Sequence, residues 1–368
     1  MTTKHYPLKS PKGGGESSSP SISTLMSTAP ANPLARRDLC SITDLSPSDI
    51  RLILDVAHDV KAQPQKYRHA LDAKQLAMFF EKESLRTRIT FEAGINTLGG
   101  SAIFIDQTAS RLGDRETLAD VAHNLERWVD VIVLRTYAHE TITGMAQFAN
   151  VPVVNALSDL EHPCQALTDI FTLEEHFGDL HGLQIAYVGD GNNVARSLLL
   201  TAAGMGAHIS FASPEGYGMD ANFLATAQVV AEKSGSVIRS FIDPREGVKD
   251  ADAVYTDAWT SMGQEHETIL RQKLFKAYQV SSNLMALAAP HSVFMHCLPA
   301  HRGEEVTDEV IDSAQSIVFD QAENRLHVQK AILLLLLDAA HLQGNGSESD
   351  EAKSRRGIVR NQSSIPKY

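Results

Sequence analysis

Short apolar runs rich in β-branched and aromatic residues recur along the chain, nearly all followed by a helix-like pattern, and this alternation constrains the fold more than any other feature. The runs lie at 76–80, 131–134, 185–188, 208–212, 236–242, 253–256 and 293–297, with a further strand-like stretch at 151–155. Parallel strands need a crossover, usually a helix, to bring the chain back, so such alternation predicts an α/β fold with mostly parallel sheets flanked by helices. A chain of 368 residues, 43% of them hydrophobic, has apolar side chains for roughly two domains. Ser46 before Pro47 and Ile50 reads as the cap of a first helix, and a glycine-bounded stretch at 178–182 reads as the domain boundary. A long helix is predicted over 322–342, buried on most of its circumference.

Residues 1–35 and 344–368 are Gly-, Ser- and Pro-biased and too poor in apolar side chains to offset chain entropy, so both ends are predicted to be disordered tails. The first tail lacks an Arg-rich amphipathic helix and a secretory apolar core, and a cytoplasmic location is expected. Thirty-three basic against 45 acidic residues give a net charge of −12 with no basic stripe, which argues against nucleic acid as partner. The longest apolar run, 331–337, falls far short of the ~20 residues that span a bilayer, so no membrane association is expected. Cys40, Cys164 and Cys297 are odd in number and widely spaced, unlike a disulfide framework or structural zinc site.

Chemistry concentrates where the predicted strands end. After 76–80 the chain runs Glu81-Lys82-Glu83-Ser84-Leu85-Arg86-Thr87-Arg88, a strand, a turn and a helix start capped by Ser84. Unpaired backbone N–H groups and the positive helix end meet the Ser84 and Thr87 hydroxyls and the Arg86 guanidinium there, which suits a phosphate. The dipole supplies only about 0.3–1 kcal/mol, so Arg86 must provide most of the binding. A capped helix with a solvated basic turn is the plainer alternative for this motif taken alone, and no P-loop pattern occurs.

A second helix start, Glu161-His162-Pro163-Cys164-Gln165, brings donors suited to a carbonyl oxygen that turns negative during attack. With no third ligand nearby, His162 and Cys164 make a weak metal pair. The turn Gly189-Asp190-Gly191-Asn192-Asn193 resembles the start of a dinucleotide fingerprint, but Val194 replaces the third glycine and no acid ends the following strand, so a nicotinamide dehydrogenase is a minor alternative. Asn193 can still meet a polar substrate. Two later strand ends carry Asp257, Ser261 and Met262, and His296, Cys297 and Leu298, a set suited to a zwitterionic amine. Cys297 taken alone is more often a small buried residue, and Cys297–His296 catalysis is disfavoured because adjacent strand residues face opposite ways.

Taken together, S-x-R-T-R at 84–88, HPCQ at 162–165, GDGNN at 189–193, DAWTSMG at 257–263, HCLPAHRGEEV at 296–306 and AENR at 322–325 stand in the order found in the aspartate/ornithine carbamoyltransferase family, which the chain resembles over about 37–342. The resemblance is to the branch acting on ornithine. It implies a carbamoyl phosphate-binding domain over 36–178, an ornithine-binding domain over 179–322, and a helix over 323–343 returning to the first domain. The reaction implied joins carbamoyl phosphate to the side-chain amine of L-ornithine, giving L-citrulline and phosphate, with no metal or organic cofactor. Ser84, Leu85, Arg86 and Thr87 would hold the phosphate, and Arg135 would reach the phosphate and carbonyl. His162, Gln165 and Arg325, with Pro163 and Cys164 alongside, would polarise the carbonyl, and the Cys297–Leu298 peptide would orient the carbamoyl nitrogen. Asn193, Asp257, Ser261 and Met262 would grip ornithine, with Arg135, His162, Asp257 and Cys297 as the catalytic set. Arginine biosynthesis and a homotrimer, or an assembly of trimers, are further implications. Arg111 stands where many relatives have a glutamine that reaches carbamoyl phosphate, and it is left outside the predicted site.

Overall fold

The computed structural model describes residues 32–107, 111–260 and 265–340. Among the described residues, nine strands form two wholly parallel sheets. The first contains β1 (Gln75–Phe80), β2 (Ser101–Asp106), β3 (Val131–Arg135) and β4 (Val153–Leu157) in the order β2-β1-β3-β4. The second contains β5 (Gln184–Val188), β6 (His208–Ala212), β7 (Ile238–Phe241), β8 (Ala253–Thr256) and β9 (Val293–His296) in the order β7-β6-β5-β8-β9. The central strands β3 and β8 are buried at every residue, as strands covered by helices on both faces must be.

The main helices are α1 (Pro47–Ala62), α2 (Leu85–Thr97), α3 (Leu118–Leu125), α4 (His139–Phe148), α5 (Pro163–Phe177), α6 (Asn193–Gly204) and α7 (Ala221–Ser234). Ser46 caps α1 in a reciprocal box with Asp49, with Pro47 at the first helical position. Pro163 opens α5, and Gly178 ends it at φ +83°, a conformation glycine adopts without a Cβ clash. The closing helix, Val318–Leu336, packs against α1, α2 and α5, of which α2 and α5 lie against strands β2 and β4 of the first sheet. Every residue from Val328 to Leu336 in it is buried.

Several sequence expectations shift. Strand β2 has no counterpart among the predicted runs, although Ala102-Ile103-Phe104-Ile105 after the Gly99–Gly100 helix stop is a four-residue apolar run; it is an edge strand of half-buried and exposed residues. The stretch expected at 151–155 pairs two residues later, and the one at 236–242 shrinks to Ile238–Phe241. The closing helix starts four residues before 322, because Ile317 offers no side-chain cap that a sequence would reveal, and ends at Leu336 rather than 342. Both predicted tails lie outside the described residues, apart from the few at 32–35.

Candidate active site

Each sheet has one point from which the chain departs toward opposite edges. In the first, β1 lies between β2 and β3; in the second, β5 lies between β6 and β8. At such switch points the connections splay apart beyond the carboxyl ends of the strands and leave a crevice. The turn after β1 carries Lys82 to Thr87, and β3 ends in Arg135, which is in register with Phe80. A register irregularity between Leu134 and Arg135 skips Ala156 on β4, so that Arg135 pairs with Leu157. The second sheet's switch point carries Gly189 to Asn193 after β5 and Asp257 after β8. Thr256 pairs with His296, so the residues that follow, Asp257 and Cys297, emerge side by side. The Cys297 thiol donates to Asp257 Oδ1 at 3.1 Å.

These strand ends and the closing helix surround a cavity of about 530 Å³. Its wall includes Ser84, Leu85, Arg86, Thr87, Arg135, His162, Asn193, Asp257, Cys297, Leu298 and Arg325, eleven of the residues expected from sequence. Pro163, Cys164 and Gln165 do not reach the wall; they are buried in the first turn of α5. Ser261 and Met262 lie outside the described residues. Lys82, Thr260 and His301 line the cavity although the sequence reading does not include them. Lys82 follows β1 two residues before the Ser84 cap, which is the signal that marks it.

One side of the cavity is cationic. Ser84 Oγ accepts from the Thr87 N–H at 3.2 Å and so caps α2. Arg325, only 3% exposed, donates to Thr87 Oγ1 and to Gln165 Oε1, both at 2.7 Å, while its Nε has no partner among the described residues. Burial, reinforced by the Arg325 and Arg86 charges, brings the Arg135 guanidinium down to about 9. Arg86 and Arg325 are likewise lowered, first by burial. His162 falls well below its ordinary value through burial and then through Arg325 and Arg135, so its imidazole is neutral at pH 7. Its backbone N–H donates to Ser197 Oγ at 2.9 Å, and its Nδ1 has no partner among the described residues. Like charges crowded into a desolvated wall are costly, and a bound anion relieves that cost.

The opposite side is neutral to acidic. Asn192 caps α6 and donates to Asp257 Oδ2 at 2.8 Å, while Asn193 Nδ2 donates to the Ser158 carbonyl at 2.6 Å. Burial and then the Asp257 charge push the Cys297 thiol well up, so it is a neutral hydrogen-bond donor and not a thiolate nucleophile. Leu298 sits at φ +58°, a left-handed conformation costing a branched side chain roughly 1–2 kcal/mol. Its N–H donates to His296 Nδ1 at 2.8 Å, and His296 Nε2 lies 3.2 Å from Glu305 Oε1. Asp257, His296 and Cys297 bring ligand-type atoms within 4.8 Å of one another. Both His296 nitrogens are already engaged, so as arranged the group does not offer a metal three ligands. Arg111 and Lys82 both stack on Tyr137, at 4.7 and 4.4 Å from the ring centroid.

Two α/β halves that converge a cationic crevice and an acidic one on a shared cavity define an enzyme that brings an anionic group donor to an amine. Residues 37–175 match the family described as aspartate/ornithine carbamoyltransferase, carbamoyl-P binding domain, and residues 181–336 match its Asp/Orn binding domain. The chain belongs to the aspartate/ornithine carbamoyltransferase family. It is 48% identical over 301 residues to an ornithine carbamoyltransferase of Acidothermus cellulolyticus, covering 82% of this chain and 96% of the relative. It is 47% identical over 306 residues to an anabolic ornithine carbamoyltransferase of Pyrococcus furiosus, covering 83% and 97%. The solved ornithine carbamoyltransferase from P. furiosus superposes with a TM-score of 0.81 at 47% identity, covering 83% of this chain and 98% of that one. The Thermus thermophilus structure gives 0.73 at 45%, covering 82% and 98%.

Proposed function

We propose that this chain transfers the carbamoyl group of carbamoyl phosphate to the side-chain amine of L-ornithine, giving L-citrulline and phosphate. The observation that carries this reading is the pairing of Arg86, Arg135, Arg325 and neutral His162 on one side of the cavity with Asp257 and Cys297 on the other. The phosphate binds at the α2 start through the Ser84 hydroxyl, the Leu85 and Thr87 region and the Arg86 guanidinium, with Arg135 between phosphate and carbonyl. His162 and Arg325 donate to the carbamoyl oxygen as it gains charge. Because the imidazole is neutral, it stabilises that oxygen by hydrogen bonding without giving up its proton.

The amine must lose a proton before it attacks, which costs roughly 4–5 kcal/mol at pH 7 for a group of pKa near 10.4. A nearby carboxylate raises that cost, so Asp257 orients the amine and receives or relays a proton. Acceleration comes mainly from holding two substrates in attack geometry and stabilising the oxyanion. The departing phosphate takes the proton, and the reaction needs no covalent enzyme intermediate and no cofactor.

Aspartate as acceptor would require basic groups where Asp257 and Cys297 stand. The name of one relative, an anabolic ornithine carbamoyltransferase, supports an arginine-biosynthetic role. The boundary between a carbamoyl phosphate-binding half and an ornithine-binding half falls at 178–182, supported by the Gly178 stop between α5 and β5. The family resemblance, and the exposed Leu85 and Ile89 beside the site, support a homotrimer. A panel of ornithine, N-acetylornithine, putrescine and aspartate, each with carbamoyl phosphate, tests the reading. Ornithine should be turned over best by at least ~10-fold, and equal or better turnover of another amine would contradict it.

A further inference from the structure

Behind the cationic wall, α5 and the closing helix meet through two rungs of side chains. Gln165 and Asp169 stand four residues apart on α5, and Gln321 and Arg325 stand four apart on the closing helix, so each pair shares a helix face. Arg325 donates to Gln165 Oε1 at 2.7 Å, and Gln321 Nε2 donates to Asp169 Oδ1 at 2.6 Å. Gln165 Nε2 donates to the same Asp169 oxygen at 2.7 Å and joins the rungs. Gln321 continues into the second sheet: its Oε1 accepts from the His296 N–H at 3.0 Å, and its Nε2 also donates to the Tyr255 hydroxyl at 3.2 Å. Asp169, Gln165 and Gln321 are all at most 1% exposed.

The donor and acceptor types leave no freedom here. Arginine only donates, so Gln165 must turn its carbonyl toward Arg325 and its NH₂ away from it. That NH₂ then needs an acceptor, and Asp169 is the group that provides one. The same logic applies to Gln321, whose carbonyl is taken by the His296 peptide. One oxygen of Asp169 therefore fixes two amides, one controlling Arg325 and the other holding the strand end that leads into Cys297 and Leu298.

We propose that Asp169 is a positioning residue for carbamoyl transfer, setting Arg325 through Gln165 and the Cys297–Leu298 turn through Gln321 so that both sides of the cavity are held in one geometry. This rests on the reading of function given above. Burial pushes the Asp169 carboxyl up to about 7 against the hydrogen bonds that favour its ionised form. The substitution Asp169→Asn would keep an acceptor oxygen for both amides, whereas Asp169→Ala would leave both NH₂ groups without one.

The test compares Asp169→Asn and Asp169→Ala in the full-length protein. In Asp169→Ala, kcat should fall ~10²-fold and carbamoyl phosphate affinity by calorimetry ~10-fold, while the KM for ornithine stays within about 3-fold. Asp169→Asn should recover kcat to within about 5-fold of wild type. If Asp169→Ala does not fold, Gln321→Leu carries the test, with an expected ~10-fold loss of kcat. A folded Asp169→Ala with wild-type kcat and affinity, an Asp169→Asn no better than Asp169→Ala, or an unchanged Gln321→Leu would each overturn the proposal. A wild-type protein that bound carbamoyl phosphate but spared ornithine would refute the functional reading alone, and the calorimetric comparison would still decide the role of Asp169.

Discussion

The two sides of the cavity use buried charge in opposite ways. On the α2 and α5 side, Arg135, Arg325 and His162 are almost wholly out of water and crowd one another, and Arg325 is set from behind by a buried network that runs through Gln165 to Asp169. On the β8 and β9 side, Asp257 is half-buried and held by one asparagine and one thiol. A preformed cationic wall suits a dianion whose charge is the same in every encounter. A looser acidic wall suits a flexible diamino acid whose amine must change protonation before it reacts. Asp169 and Asp257 show the contrast within one residue type: one carboxylate organises arginines from behind, and the other faces the cavity.

Perturbing each side separately should break this contrast if it is wrong. The largest effect expected is on stability and concerns Asp169. Its folded pKa, about 7, lies above the ordinary value of 3.8, so below pH 4 both folded and unfolded chains hold the proton and the group contributes nothing. Between pH 4 and 7 the unfolded chain ionises first, stability falls by about 1.4 kcal/mol per pH unit to a total on the order of 4 kcal/mol, and the loss levels off above pH 7. Asp169→Asn should therefore gain on wild type as pH rises from 4 to 8 in urea unfolding. A constant difference would show that the carboxyl titrates normally.

Next in size, Arg325→Ala should lower kcat/KM by ~10²-fold, about 2.7 kcal/mol, because it removes a donor to the oxyanion and unseats Gln165 and Thr87. Arg86→Ala should weaken carbamoyl phosphate binding by ~10-fold or more with ornithine KM little changed, and unchanged steady-state kinetics would remove the phosphate assignment. Asp257→Asn, on the looser side, should raise ornithine KM several-fold, roughly 1 kcal/mol, and leave carbamoyl phosphate affinity untouched. A calorimetric loss of carbamoyl phosphate binding in that variant would mean that the two sides are not separable.

The alternation of apolar runs and helical patterns is sufficient for the two parallel sheets, because buried parallel strands carry a strong continuous signal. The predicted runs leave out the edge strand β2, although Ala102-Ile103-Phe104-Ile105 carries the same kind of apolar signal, and they do not reveal the uncapped start of the closing helix at Val318. In the site, residues that follow predicted strands are legible because ligands bind beyond the carboxyl ends of parallel strands: Arg86, Asp257 and Cys297 follow that rule. Arg135 and Arg325 are reached only through the family resemblance, and for Arg325 nothing local says that a residue 238 positions beyond Thr87 returns to α2. The resemblance gives Gln165 a part in polarising the carbonyl, yet in this structure its amide is committed to Arg325 and Asp169 behind the wall. Lys82 and Asp169 stand within or beside the quoted motifs, and only three-dimensional partners show what they touch.

The most direct test of the central claim is a crystal structure with a bisubstrate mimic that joins a phosphonate to the side-chain nitrogen of ornithine through an acetyl group. The phosphonate should lie at the α2 start against Ser84, Arg86 and Thr87, the acyl oxygen should face His162 and Arg325, and the amino-acid end should lie toward Asn193 and Asp257. A mimic bound elsewhere, with the starts of α2 and α5 left empty, would contradict the account.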